Sequence, residues 1–77
     1  MVDFSEYTRI GLQEYIIEQY DRAEQADNRY GNRRRIRNAA LKIVREEFER
    51  REYTKTEIDE MMEEAVDMAA LYGFQIY

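Results

Sequence analysis

The side chains best suited to chemistry in this chain lie in the stretch YGNRRRIRNAALK, Tyr30 to Lys42, which places arginine at positions 33, 34, 35 and 37. A guanidinium presents its donors in a planar fork that matches carboxylate and phosphate oxygens, so a cluster of them is suited to oxyanion recognition. The turn-forming residues just before them predict that they open a helix. A helix N-terminus repels cations by about 0.3–1 kcal/mol each, and helix stability alone would favour Asp or Glu there. In helical projection Arg34, Arg35, Lys42 and Arg45 share the outer face, while Arg33 and Arg37 border the apolar side.

Three uses fit such a block. Acidic helices of the same chain can neutralise it, the commonest fate of a charge run. An acidic protein partner can be held by arginine forks. Phosphates of a nucleic acid can bind beside the helix N-terminus, with Tyr30 as a stacking surface. Net charge -5 and seventeen acidic residues oppose the approach of a polyanion, which ranks nucleic acid below a protein partner.

Catalytic chemistry finds little to work with. The chain has no histidine and no cysteine, so acid–base and nucleophile candidates reduce to carboxylates, tyrosines, lysines and Ser5, in no recognisable arrangement. Three glycines do not form a phosphate-cradling loop. The carboxylates of Glu60, Glu63, Glu64 and Asp67 crowd one helix face without ligands from a second element, as expected of a solvated face rather than a metal site. No catalytic residue, cofactor, metal or small-molecule substrate is expected.

The aromatic content points toward association. Seven tyrosines and three phenylalanines exceed what a chain of 77 residues can bury completely. Tyrosine gives large contact area at low entropic cost. Tyr7, Tyr15, Tyr20, Tyr30 and Tyr77 are the expected exposed members, and with Arg33, Arg34, Arg35, Arg37, Lys42 and Arg45 they make the candidate partner-binding set. Met61, Met62 and Met68 are read as core.

The elements that must position these residues are legible from their ends. A chain this short forms one domain, residues 1–77, burying about 60% of its unfolded surface. Its 44% hydrophobic content suffices for a core, and no apolar run is long enough to cross a bilayer. A soluble, cytoplasmic protein is expected. Charge alternates along it: two basic and seven acidic residues in 1–28, seven basic and none acidic in 29–45, three basic and ten acidic in 46–77.

The fold expected is all-α, a small three-helix bundle with helices near 4–26, 33–52 and 55–72. Asp3 and Glu6 read as a capping box, with Val2 and Tyr7 as its hydrophobic staple. Leu12, Ile16, Tyr20 and Ala23 share one face of the first helix. Phe4, Tyr7, Ile10 and Ile17 point elsewhere, so that helix is central or offers a second face to a partner, and Gly11 is a candidate bend. Asn32 is placed to cap the second helix, whose inner face is read as Ile36, Ala39, Ala40, Ile43, Val44 and Phe48. Glu46–Arg50 and Glu47–Arg51 are spaced as solvent-exposed i,i+4 pairs.

Thr54 and Glu57 form a further capping box, with Tyr53 and Ile58 as staple. The apolar face of the third helix is read as Ile58, Met61, Met62, Ala65, Val66, Met68, Ala69 and Tyr72. Gly73 ends it, with Phe74 folding back, and FQIY becomes ordered only by docking. The functional expectation is a non-enzymatic interaction module, a small acidic adaptor or inhibitor that docks onto a larger protein or a second copy of itself. The alternative is a nucleic-acid-binding regulator using Arg33, Arg34, Arg35 and Arg37.

Overall fold

Three α-helices carry the chain in a computed structural model that describes residues 3–76: α1 Arg9–Gln25, α2 Asn32–Arg50 and α3 Lys55–Leu71. They pack against one another as a three-helix bundle, with no strand among the described residues. α1 packs broadly on both neighbours, whereas α2 and α3 meet over a smaller area. The core is one cluster in which Leu12, Ile16 and Tyr20 of α1 face Val44 and Phe48 of α2 and Ile58, Met61, Met62, Ala65 and Ala69 of α3.

The first helix begins later than its sequence suggests. Asp3 does cap, accepting from the Ser5 N–H at 3.0 Å, but it starts only a short 3-10 turn, Phe4–Glu6. The Ser5 hydroxyl and amide both donate to Asp3 and hold its carboxyl below the usual carboxylate range. Tyr7 is extended, and α1 then starts at Arg9 with Thr8 as cap. The Thr8 hydroxyl accepts from Gly11 N–H at 2.9 Å, and a Cβ at Gly11 would lie 3.1 Å from that oxygen. Gly11 therefore permits a close cap in the first turn rather than bending the helix midway. The Val2 half of the expected staple lies outside the described residues.

Between α1 and α2 the chain turns through DNRYGN as the turn residues require. The Asp27 carboxylate accepts from Arg29 N–H at 3.1 Å, and both Tyr30 (φ 56°) and Gly31 (φ 73°) are left-handed. α2 starts at Asn32 itself, preceded by Gly31 with no side-chain cap. Asn32 is thus the first helical residue, not the cap.

The α2–α3 corner is a Schellman motif built on a non-glycine residue. Tyr53 N–H donates to Phe48 O and Glu52 N–H to Glu49 O, with Glu52 left-handed at φ 65°. The apolar contact that accompanies this motif is the edge-on pair of Phe48 and Tyr53 rings, 5.6 Å apart. One residue on, Thr54 and Glu57 complete the expected capping box, at 3.2 Å and 2.9 Å. The Thr54 amide and hydroxyl hold the Glu57 carboxyl below its ordinary value.

α3 ends in the same motif with glycine in the left-handed place. Gly73 (φ 87°) donates to Ala70 O and Phe74 to Ala69 O, at 2.9 and 3.1 Å. The chain then folds back, Phe74 and Ile76 pack on the core, and the Gln75 N–H donates to the Glu24 carboxylate. FQIY docks on its own bundle, as far as Ile76.

The left-handed Glu52 costs about 1 kcal/mol relative to glycine. Glu52→Gly is expected to raise stability by about 0.5–1 kcal/mol, read as a higher urea midpoint at unchanged slope. A lower midpoint would show that the Glu52 side chain contributes more than its backbone costs.

Candidate functional site

The arginine block is divided by the fold among three environments. Arg33 is half-buried and reaches back to the end of α1, where Nε donates to Ala26 O at 3.1 Å and Nη2 to Glu24 O at 3.2 Å. Those carbonyls belong to the helix end that lacks intrahelical donors and carries negative partial charge. A cation misplaced for the α2 dipole is therefore well placed for that of α1. Arg45, half-exposed, bridges to Asp59 of α3 at 3.1 Å, a pair worth about 0–1 kcal/mol.

Arg34, Arg35 and Lys42 are exposed and make no ion pair among the described residues. Arg37 is the opposite case: only 5% exposed, with Nη1 lacking any hydrogen-bond partner. A buried cation without a partner is costly, because its hydration is lost and nothing replaces it. It lines a cavity of about 400 Å³ together with Tyr20, Arg34, Asn38, Leu41 and Ile76.

Arg37 also shows that the inner face of α2 is rotated from the sequence reading. The buried positions are Arg37, Ala40, Val44, Glu47 and Phe48, while Ile36 and Ile43 are half-buried and Ala39 is exposed. Glu47, expected in a solvent-exposed pair, is 3% exposed. Arg51 Nε donates to Glu47 Oε2 at 2.9 Å, and Arg50, rather than pairing with Glu46, also donates to Glu47. Arg51 Nη2 donates onward to the carbonyls of Phe4 (3.0 Å), Ser5 (3.4 Å) and Tyr7 (2.6 Å). The expected surface pair is a half-buried clamp on the N-terminal segment.

That clamp decides where two candidate tyrosines sit. Phe4, Tyr7 and Tyr15 form a half-buried aromatic cluster, with centroids 5.2 Å (Phe4–Tyr7), 5.0 Å (Phe4–Tyr15) and 6.4 Å (Tyr7–Tyr15) apart. Tyr20, expected to be exposed, is 1% exposed in the core, as its place beside Leu12, Ile16 and Ala23 requires. Burial pushes its phenol above the ordinary value, with the Arg37 charge acting in the opposite direction. Tyr30 is 89% exposed on its left-handed turn. Tyr77 lies outside the described residues.

The exposed apolar surface lies elsewhere, between α1 and α3. Ile10 (58%), Tyr72 (62%) and Met68 (39%) are open to solvent there, and Leu71 (80%) is exposed but lines neither of the grooves on that face. The sequence reading placed Met68 and Tyr72 on the inner face of α3, but the core takes a narrower stripe. A groove of about 290 Å³ runs over Ile10, Ile17, Met68 and Tyr72, and a second of about 360 Å³ continues over Ile17, Tyr72 and Phe74. Glu14, Glu18, Asp21 and Glu64 stand along them, with Arg9 the one cation in their lining among the described residues. At the groove floor the helices are locked by the buried Gln13, whose Nε2 donates to Met61 O at 3.0 Å. The spacing of Ile10 and Ile17, one heptad apart, and of Met68, Leu71 and Tyr72 is visible in the sequence. Which of two apolar faces each helix would bury is not.

Glu60, Glu63, Glu64 and Asp67 are exposed along α3, and no group of three acidic side chains among the described residues converges as a metal site. No helix of the described residues is long and apolar enough to cross a membrane. No protein-family model matches the chain, no curated protein matches it, and no solved structure does.

Two substitutions separate the roles of these cations. Arg34→Gln with Arg35→Gln removes exposed charges from a helix start, so stability is expected to hold or rise by up to about 1 kcal/mol in low salt. Arg51→Met leaves Glu47 with less compensation and three carbonyls without their shared donor, an expected loss of about 3 kcal/mol. Urea unfolding followed by tyrosine fluorescence measures both, and equal effects from the two would refute this division.

Proposed function

We propose that this chain is a non-enzymatic protein-interaction module that docks, through the α1–α3 face, onto a larger protein or a second copy of itself. The observation carrying this reading is the apolar lining of the two grooves, where Ile10, Met68 and Tyr72 are exposed and Ile17 and Phe74 half-buried, flanked by carboxylates. A small bundle that has already filled its core gains nothing in its own stability from leaving such side chains in water. Contiguous exposed apolar surface rimmed by polar groups is the usual mark of an association site. The acidic flank adds selectivity, since it repels acidic surfaces and favours partners carrying basic groups beside apolar ones.

Nucleic acid is the weaker reading. Of the six basic residues from Arg33 to Arg45, Arg33 serves the end of α1, Arg45 pairs with α3 and Arg37 is buried. Arg34, Arg35 and Lys42 remain, on a chain of net charge -5.

The test is a double substitution, Ile10→Ser with Tyr72→Ser, at two exposed groove positions where stability is expected to change by less than about 1 kcal/mol each. Sedimentation velocity over rising concentration reads self-association, and affinity capture from cell extract reads a heterologous partner. The unmodified chain is expected to associate in at least one assay and the double variant in neither. Association unchanged by the substitutions, or absent from the unmodified chain in both assays, would overturn the proposal.

A further inference from the structure

The cavity behind Arg37 lies between α1 and α2, apart from the apolar grooves between α1 and α3, and it has a chemistry of its own. Its polar lining is Arg34, Arg37, Asn38 and the phenol of Tyr20, with Leu41 and Ile76 as apolar walls. No carboxylate lines it, and none lies in ion-pair range of Arg37 or Arg34 among the described residues. Arg37 is 95% buried with Nη1 unpartnered, so the fold holds a positive charge in place and the described residues do not supply the acceptor it lacks. Elsewhere in this chain a guanidinium that packs inward has acceptors: Arg33 has two carbonyls and Arg51 has a carboxylate with three carbonyls.

We propose that this cavity is a binding site for a dianionic oxyanion, a phosphate group, held by the guanidinium forks of Arg37 inside and Arg34 at the rim. One buried and one rim positive charge together match a dianion, and guanidinium forks present the paired donors that phosphate oxygens accept. The Asn38 amide and the neutral Tyr20 hydroxyl supply further donors. Bound phosphate would complete the hydrogen bonding of Arg37 and so stabilise the fold. The cavity, at about 400 Å³, leaves room beside the anion for a small apolar body against Leu41 and Ile76. The site thus admits free phosphate or the head of a phosphomonoester.

The test titrates the intact chain with inorganic phosphate, chloride holding the ionic strength constant, and reads the melting temperature together with phosphorus-31 line broadening. A ligand that binds only the folded state raises the melting temperature with concentration. Phosphate and sulfate are expected to stabilise and acetate to do so at least tenfold less effectively at equal concentration. Phenyl phosphate binding more tightly than inorganic phosphate identifies a phosphomonoester, and equal affinity identifies the free ion. Both results support the site.

Arg37→Met is expected to melt at or above the unmodified chain in phosphate-free buffer, since it removes an unpartnered buried cation, and to lose the phosphate response. Should that variant fail to fold, the exposed substitutions Arg34→Gln and Asn38→Ala carry the test. Loss of one charge-assisted contact in Arg34→Gln is expected to weaken phosphate about tenfold. No phosphate-specific shift, acetate as effective as phosphate, or a response unchanged in the substituted chains would overturn the proposal.

Discussion

Glu47 faces the core from α2, and a carboxylate in that position forces the rest of the arrangement. It needs partners, and Arg50 and Arg51 of the same helix end provide them. Arg51 then has donors to spare and spends them on carbonyls of the N-terminal segment, which arrives from far away in sequence. The consequence is mechanical. The chain before α1 is held against the end of α2, its aromatic rings are gathered with Tyr15, and α1 starts only after Thr8. The clamp thus adds polar anchoring to a segment whose Phe4 and Tyr7 rings pack against the core and Tyr15.

The same principle resolves the apparent conflict of an arginine-rich helix start. A helix dipole acts on nearby charge whichever helix carries that charge. Because the turn at DNRYGN is short, the beginning of α2 lies beside the end of α1. Arg33 consequently meets the negative end of one helix although it belongs to the positive end of another. Arg45 reaches across to α3, and the acidic–basic–acidic order of the chain is in part a set of docking instructions. Only part of the block is consumed this way. Arg34, Arg35 and Lys42 face solvent, and Arg37 is buried without an ion pair among the described residues.

Size explains why apolar surface is left over. With α1 packed on both neighbours, each helix can give the core one narrow stripe. α3 is apolar over a wider arc than that stripe, so Ala65 and Ala69 go inside while Met68 and Tyr72 stay out. α1 likewise buries Leu12 and Ile16 and leaves Ile10 exposed. The apolar strip between α1 and α3 and the charged cavity between α1 and α2 are thus products of one central helix serving two neighbours.

The sequence by itself determined the number of helices, their approximate ends and the residues at their corners. These are local properties: the capping box at Thr54 and Glu57, the left-handed Gly73 and the turn formers around Gly31 each involve groups a few residues apart. The buried face of α1 was legible for the same reason, since Leu12, Ile16, Tyr20 and Ala23 repeat with helical period. Tertiary structure decided the rest. Arg37 takes a core position where the apolar side chains of α2 point to Ile36 instead. At position 47 the apolar period wants a hydrophobic residue, but the chain buries Glu47. Periodicity counts apolar side chains and cannot see a distant carbonyl or an enclosed charge. Tyr20 goes inside and Tyr72 stays outside for a related reason: both lie on apolar stripes, and only the neighbour packed against each stripe determines which is covered. The segment before α1 is held by Arg51, forty-odd residues away along the chain, through the carbonyls of Phe4, Ser5 and Tyr7. Capping and turns are short-range chemistry, which one segment of sequence contains in full, whereas burial and charge compensation belong to pairs of segments that meet only in the folded chain.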